Sequence, residues 1–381
     1  MKLFDVYPLI PVTPLRAEGA KLWDDQGKEY LDLYGGHAVI SIGHTHPHFV
    51  KRIKDQLDQI AFYSNSIHIP IQGQFAEKLG EVSGYPDYQL FLCNSGAEAN
   101  ENAMKLASFE TGKSGFISFK GAFHGRTSGA VALTDNPKIV APCNARDDFH
   151  ILPFGDLKAT KEVLENNEIA GIIIEGIQGV GGIQVPSEDF LYGLSQLAKE
   201  YKAKLILDEV QSGYGRTGKF FAHQWVRGIK PDLISMAKGM GNGFPIGGIL
   251  ISPDFKASYG VLGTTFGGNH LACAAGMAVL EVIEAENLMQ NAEEMGEKLI
   301  AELKGIPGVI DVRGKGLMIG IDLDRDAGPV RTELVKKYHI FTGSAAGKQT
   351  IRLLPPLNID WNQLNSFVVS LKEILSQSPA A

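Results

Sequence analysis

Cysteine is scarce in this chain of 381 residues: Cys93, Cys143 and Cys273 are the whole supply. An odd count with no metal or redox spacing excludes a disulfide framework and a cysteine zinc site, and fits a reducing compartment. No stretch approaches the ~18 consecutive apolar residues of a membrane-spanning helix. The N-terminal Met1-Lys-Leu-Phe-Asp-Val-Tyr-Pro8 carries Asp5 and no long apolar run, unlike a signal peptide. Basic runs are missing too. The 36 Lys and Arg are outnumbered by 43 Asp and Glu, for a formal net charge of −7, which argues against nucleic acid as partner. Neither internal repeats nor low-complexity segments are evident. The expectation is a soluble, cytoplasmic protein of roughly two domains with no membrane partner.

Glycine, in contrast, is plentiful: 44 of 381 residues, about 12% against a typical ~7%. Without a Gly-X-Y period, the excess suggests many tight turns and close backbone approaches to a ligand. Residues 20–33 suggest a hairpin turning at Asp25-Gln-Gly27, and helical signals follow over His48–Ala61 and Ile71–Val82. Between Gln89 and about Thr265, short apolar runs alternate with helical stretches. Strands are expected at Gln89–Cys93, Gly115–Phe119, Ala170–Glu175, Lys204–Asp208, Leu233–Met236 and Gly247–Ile251. Helices are expected at Ala97–Glu110, Leu157–Glu165 and Glu188–Tyr201. The alternation predicts an α/β fold with a large, mostly parallel sheet and helices on both faces. Beyond His270 a long helical region runs to about Lys304. Strands at Val309–Gly314, Leu317–Asp322 and Gln349–Leu354 follow, with helices at Gly328–Tyr338 and Trp361–Gln377. The expected division is a large domain over 51–270 and a small α/β domain shared by 1–50 and 271–381.

The chemistry gathers at strand ends. Lys204-Leu-Ile-Leu-Asp-Glu-Val-Gln-Ser-Gly213 and Pro231-Asp-Leu-Ile-Ser-Met-Ala-Lys-Gly239 are apolar runs that each deliver one polar residue before a glycine, Asp208 and Lys238. Buried parallel strands present functional side chains in this way. A carboxylate for a pyridinium nitrogen and an amine for a Schiff base are the two anchors of pyridoxal 5′-phosphate. Asn94-Ser-Gly-Ala-Glu98 opens a predicted helix, and its small Ser95, Gly96 and Ala97 leave backbone N–H groups open to a phosphate, although an ordinary N-cap reads the same way. In Gly121-Ala-Phe-His-Gly-Arg-Thr-Ser128, Phe123 could cover a flat ring and Arg126 could grip a carboxylate, against the plain alternative of a core aromatic and a surface arginine. Glu175 closes another strand, either at the site or as a structural hydrogen-bonding group.

Three other patterns point elsewhere and carry less. Gly213-Tyr-Gly-Arg-Thr-Gly-Lys-Phe220 has P-loop spacing but lacks the Ser or Thr that would hold magnesium. His44-Thr-His-Pro-His48 lacks a Cys or carboxylate nearby, and Pro47 marks a helix start. Gly314-Lys-Gly-Leu-Met-Ile-Gly320 fails the dinucleotide spacing.

Phe123-His-Gly-Arg-Thr127, Asp208-Glu-Val-Gln-Ser-Gly213, Gly213-Tyr-Gly-Arg-Thr-Gly218, Ala237-Lys-Gly239 and Gly263-Thr-Thr-Phe-Gly-Gly-Asn269 together resemble the class III, ornithine-type aminotransferases. The similarity runs from about Val12 to the C-terminal helix. It implies a fold-type-I pyridoxal-phosphate transferase acting as a homodimer with sites at the subunit interface. Carried over residue by residue, Lys238 is the Schiff-base lysine and proton shuttle, Asp208 pairs with the ring nitrogen, and Gln211 reaches the phenolic oxygen. Val210 and Phe123 flank the ring. Ser95, Gly96 and Ala97 hold the phosphate with Thr265 of the other subunit. Arg126, Thr264, Glu175 and Arg352 fall at substrate positions, Arg352 receiving the α-carboxylate of 2-oxoglutarate. The short length and Phe123-His-Gly-Arg126 are most similar to members acting on N2-acetyl-L-ornithine in arginine biosynthesis. N-succinylornithine, ornithine or 4-aminobutyrate as donor are the alternatives.

Two positions depart from the pattern. Many relatives read Gln-Gly-Glu where this chain has Gln178-Gly-Val180, and that glutamate neutralises the arginine matching Arg352. His37 stands where an apolar residue is common in the acetylornithine enzymes. An arginine without an internal counter-charge invites a substrate carboxylate.

Overall fold

The computed structural model describes residues 1–377. Its strands are β1 Pro14–Glu18, β2 Lys21–Asp24, β3 Glu29–Asp32, β4 Gln89–Cys93, β5 Gly115–Phe119, β6 Phe149–Leu152, β7 Ile169–Glu175 and β8 Lys204–Asp208. There follow β9 Leu233–Met236, β10 Gly247–Ile251, β11 Val309–Lys315, β12 Met318–Leu323, β13 Ile340–Phe341, β14 Gly343–Ser344 and β15 Thr350–Leu353.

Seven of these form the large sheet, in the order β4-β10-β9-β8-β7-β5-β6. Only β10 runs against its neighbours β4 and β9; the other pairings are parallel. The central strands are apolar on both faces because both faces are covered. In β7, Ile173 packs with Met104, Phe116 and Ile206 on one side. Its neighbours Ile172 and Ile174 pack with Phe119, Phe190 and Leu194 on the other. The register sets Glu175 opposite Asp208, and Asp208 opposite Ser235. One edge of the sheet therefore carries both acids and leads directly into Lys238.

The expected hairpin is present, with Trp23 opposite Glu29. The strand β6 was not expected: it is four residues long, follows a turn-rich stretch, and its apolar residues Phe149, Ile151 and Leu152 are interrupted by His150. The long helical region after His270 is two helices, His270–Ala285 and Leu288–Leu303, separated at Asn287 in the left-handed conformation (φ 51°). Asparagine tolerates that conformation better than most residues.

Two four-stranded sheets, β1-β2-β3-β13 and β11-β12-β15-β14, are built from the ends of the chain. The two ends meet directly: β13 pairs with β3 in parallel, Leu354 N donates to Leu33 O (2.8 Å) and Leu357 N to Ser41 O (2.7 Å). A continuous apolar core then joins Leu33 and Ile42 to Phe75, Tyr214 and Met240 of the middle segment and to Ile319, Ile351 and Phe367.

Candidate active site

Beyond the C-terminal edge of β7 and β8 lies a pocket of about 320 Å³ lined by Gly96, Ala97, Phe123, Arg126, Glu175, Asp208, Val210, Gln211 and Lys238, with Asn100, His124 and Gly125. Nine residues singled out from the sequence thus meet in one place. Asp208 is its floor. The carboxylate is 3% exposed; its Oδ2 accepts from His124 Nδ1 (2.7 Å) and Asn100 Nδ2 (2.8 Å), and its Oδ1 from Val210 N (3.1 Å). His124 and Asn100 are functional residues that had no assigned role. The signal for His124 was its place beside Phe123; for Asn100 it was the spacing of one helical turn from Gly96.

Lys238 follows β9 and adopts φ 47°, a left-handed backbone costly for a residue with a Cβ and common at functional sites. No hydrogen bond holds its side chain among the described residues. Burial brings its amine below the usual lysine range, Asp208 and Glu175 oppose that, and Arg352 adds to it. A buried lysine with a lowered pKa is an activated nucleophile and base.

Ser95 caps the helix Gly96–Thr111, its Oγ accepting from Glu98 N (3.2 Å). Gly96 is required by contact: a Cβ there would lie 2.7 Å from Val210 Cγ1. The turn that carries Val210 and Gln211 is fixed from behind by buried Glu209. That carboxylate accepts from Ala222 N (3.0 Å), His223 N (2.9 Å), His223 Nδ1 (2.7 Å) and Ser212 Oγ (2.6 Å).

Glu175, expected among the substrate contacts, lines the pocket with both oxygens engaged by backbone, Oε1 by Phe123 N (3.0 Å) and Oε2 by Gly179 N (2.8 Å). It ties the Phe123 loop to the turn after β7. Burial pushes its carboxyl up to about 7 and Asp208 adds to the rise, against His124 and the two amides.

Arg352, at β15, is 3% exposed. Its Nε donates to Ser344 O, its Nη1 to Gln211 Oε1 (3.4 Å) and its Nη2 to Tyr34 OH (3.2 Å). No carboxylate pairs with it among the described residues. Burial lowers its pKa; Tyr34 and Glu175 oppose this, while Arg331 reinforces it. Tyr34 and Arg331 were not singled out from the sequence. Arg126 is exposed at the pocket.

Thr264 and Thr265 are not among the lining residues. Thr264 Oγ1 accepts from Gly267 N (3.1 Å) and Asn94 Nδ2 (3.4 Å), beside the helix start, and Thr265 is exposed. The P-loop-like segment is a packing device. Its Arg216 is buried and donates to the carbonyls of Leu317 (3.2 Å), Pro355 and Ile40 (3.5 Å). Each histidine of the 44–48 run faces one carboxylate: His44 with Asp32, His46 with Glu286 and His48 with Glu281.

These residues suit pyridoxal 5′-phosphate. A carboxylate ringed by donors, an amine across the same pocket, an aromatic and a branched aliphatic wall, and a helix N-terminus opened by Gly96 match its ring nitrogen, aldehyde, faces and phosphate.

Comparison with known proteins points the same way. The sequence model of the aminotransferase class-III family matches residues 6–375. The chain is 40% identical to the acetylornithine aminotransferase of Bacillus subtilis (strain 168), over 99% of this chain and 98% of that one. It is 38% identical to that of Methanopyrus kandleri, over 98% and 97%. In structure it resembles the acetylornithine aminotransferase of Elizabethkingia anophelis, with a TM-score of 0.83 at 30% identity, covering 97% of this chain and 95% of that one. The ornithine aminotransferase of Toxoplasma gondii ME49 gives a TM-score of 0.90 at 27% identity, covering 97% and 91%. A chain matched over almost its whole length, with the family's chemistry assembled in one pocket, belongs to the class-III aminotransferases, the pyridoxal-phosphate-dependent enzymes of this fold.

Proposed function

We propose that this enzyme transfers the terminal amino group of an N2-acyl-L-ornithine, N2-acetyl-L-ornithine first of all, to 2-oxoglutarate, giving the N-acyl glutamate semialdehyde and glutamate in arginine biosynthesis. The relatives support the donor. The observation that carries the acceptor is the pair of arginines, Arg126 at the pocket and Arg352 behind Gln211, neither paired with a carboxylate among the described residues. A dicarboxylate acceptor fits two guanidinium sites, each able to bind bidentately. Both substrates are small molecules that take turns in the pocket, so the kinetics are ping-pong.

The cofactor, when bound, supplies the covalent hold on nitrogen and the electron sink for the charge left as a C–H proton departs. Ser95, Gly96 and Ala97 would hold its phosphate, Phe123 and Val210 its faces, Gln211 its phenolic oxygen and Asp208 its ring nitrogen. His124 and Asn100 keep Asp208 oriented as an acceptor toward the pocket. The Lys238 amine would take the proton from the amino-bearing carbon and hand it on across the intervening nitrogen, two atoms away. Arg126 orients the donor's carboxylate.

Homodimerisation, with Thr265 completing the partner's phosphate site, is supported by the exposed Thr265 and by the apolar residues around it. Phe62, Tyr63, Ile67 and Phe266 are exposed, and the Phe62 and Phe266 rings lie 5.4 Å apart. The large domain is assigned to 51–270 and the small one to 1–50 with 271–381. Cytoplasmic location accords with three free cysteines. Among the described residues no helix is long and apolar enough to cross a membrane.

A second donor, N2-succinyl-L-ornithine, is favoured by one feature: Arg352 has no acid paired with it among the described residues, so a donor with an extra carboxylate could use it. A panel of amino donors against 2-oxoglutarate, followed by bleaching of the cofactor's visible band, tests both. A kcat/KM for acetylornithine well above that for succinylornithine excludes the second donor. Absence of turnover with either overturns the acyl-ornithine assignment.

A further inference from the structure

The hydrogen-bond acceptors of Arg352 are all neutral groups, and one of them leads on to a further residue. Arg352 Nη2 donates to Tyr34 OH at 3.2 Å, and the same hydroxyl lies 2.5 Å from His37 Nδ1. With Nδ1 as acceptor, the phenol donates to His37 and keeps its oxygen lone pairs for Arg352, so all three groups are satisfied. The arrangement depends on an unusual backbone. Gly35, Gly36, His37 and Ala38 all have positive φ (56°, 56°, 69° and 62°), one turn of left-handed helix closed by Ala38 N to Tyr34 O (2.9 Å) and Val39 N to Gly35 O (2.8 Å). Residues with a Cβ adopt such a turn only where the surroundings enforce it. Here Asp32 Oδ1 accepts from Tyr34 N (2.9 Å) and Gly35 N (2.8 Å). At Gly35 a Cβ would meet Leu354 O at 2.9 Å. The turn sets His37 beyond the hydroxyl, while the Tyr34 ring is seated against Gly343, where a Cβ would overlap it.

We propose that the Tyr34 hydroxyl is the resident occupant of the Arg352 carboxylate site and thereby a specificity-determining group of the pocket, held ready by His37. It covers one Nη donor while no carboxylate is there, yields to the substrate carboxylate, and returns when that leaves. The distances favour such an exchange. The Nη donors rest on neutral acceptors at 3.2 and 3.4 Å, whereas a charged carboxylate binds at about 2.7–2.9 Å and roughly twice as strongly. An internal acid would hold the guanidinium as an ion pair; a phenol leaves the charge available and only raises the threshold for its capture. His37 satisfies the phenol's proton in both states, so the hydroxyl is not orphaned when Arg352 is taken. This inference rests on 2-oxoglutarate being the acceptor that reaches Arg352.

Tyr34→Phe tests it, because the ring stays and only the hydroxyl is lost. In the holoenzyme the KM for 2-oxoglutarate falls roughly two- to tenfold, the span of one neutral hydrogen bond no longer competing. The inhibition constant of 2-oxoglutarate against the amino donor falls with it, while kcat of the donor half-reaction stays within about twofold. His37→Ala, which frees the hydroxyl, moves the same constants in the same direction by less. A KM for 2-oxoglutarate that is unchanged or raised in Tyr34→Phe makes the hydroxyl a bystander or a ligand of the carboxylate and overturns the proposal. If the wild-type enzyme does not accept 2-oxoglutarate at all, the assigned acceptor fails and this inference fails with it. That outcome is visible before any variant is compared.

Discussion

His124 Nδ1 stands 2.7 Å from Asp208 Oδ2, with both side chains sealed from solvent. The imidazole therefore decides where the acid can point, and Asn100 shares the same oxygen. Replacing His124 with Phe removes one donor from a buried carboxylate. The expected loss is about 1.5–3 kcal/mol, roughly ten- to hundredfold in kcat/KM. Rates of both half-reactions check it: because Asp208 serves both, they should fall together.

Lys238→Ala abolishes turnover, since among the described residues no other amine lines the pocket. Mass spectrometry after borohydride reduction gives a second readout. The wild-type chain retains the cofactor's mass and the variant does not. Full transaminase activity in the variant would remove Lys238 from the mechanism.

The cradle at the helix start is tested by Gly96→Ala. Its added Cβ meets Val210 Cγ1 at 2.7 Å and Cγ2 at 3.0 Å. Valine is stiff about χ1 and cannot step aside, so cofactor affinity drops by about 1–3 kcal/mol. Val210→Ala in the same chain recovers most of it. Cofactor titration of the apoenzyme measures both, and the pair should be strongly non-additive.

Arg352→Gln raises the KM for 2-oxoglutarate roughly ten- to hundredfold, the size of a lost charge-assisted contact. Steady-state kinetics should show the acceptor affected more than acetylornithine. Equal losses for both would place Arg352 outside acceptor selection.

Glu175 gives a pH dependence of stability. Its carboxyl lies at about 7 in the folded chain against an ordinary 4.5, so between these values the folded state keeps a proton that the unfolded state has lost. Stability is then greatest below the unfolded value and declines as pH rises through the folded one, by about 3 kcal/mol in full. Urea unfolding of the apoenzyme at pH 5 and at pH 8 measures the decline. Glu175→Gln is less stable throughout, because the amide loses one backbone partner, but its slope is flatter. An equal slope in both proteins assigns the decline to other groups.

Much of the site was legible because strands and helix starts announce their products. Asp208, Lys238 and Glu175 close apolar runs, and Gly96 opens a helix, so short-range pattern placed them. His124 and Asn100 were marked only by their place beside Phe123 and one helical turn from Gly96, and Tyr34 by nothing. Their roles depend on partners far along the chain: 84 residues separate His124 from Asp208, and 318 separate Tyr34 from Arg352. Glu175 was legible as a buried acid, but not as a tie between two loops, because its partners are backbone amides that any sequence could supply.

By itself, then, the sequence determined the α/β architecture and pointed to the cofactor, since periodicity announces the strands and a family resemblance carried by several motifs names the chemistry. Tertiary structure alone decided how the reacting groups are tuned. Burial lowers Lys238 and raises Glu175, and it leaves Arg352 facing Tyr34 rather than an acid. Desolvation and hydrogen-bond partners are properties of the packed chain, and no stretch of residues carries them before it folds.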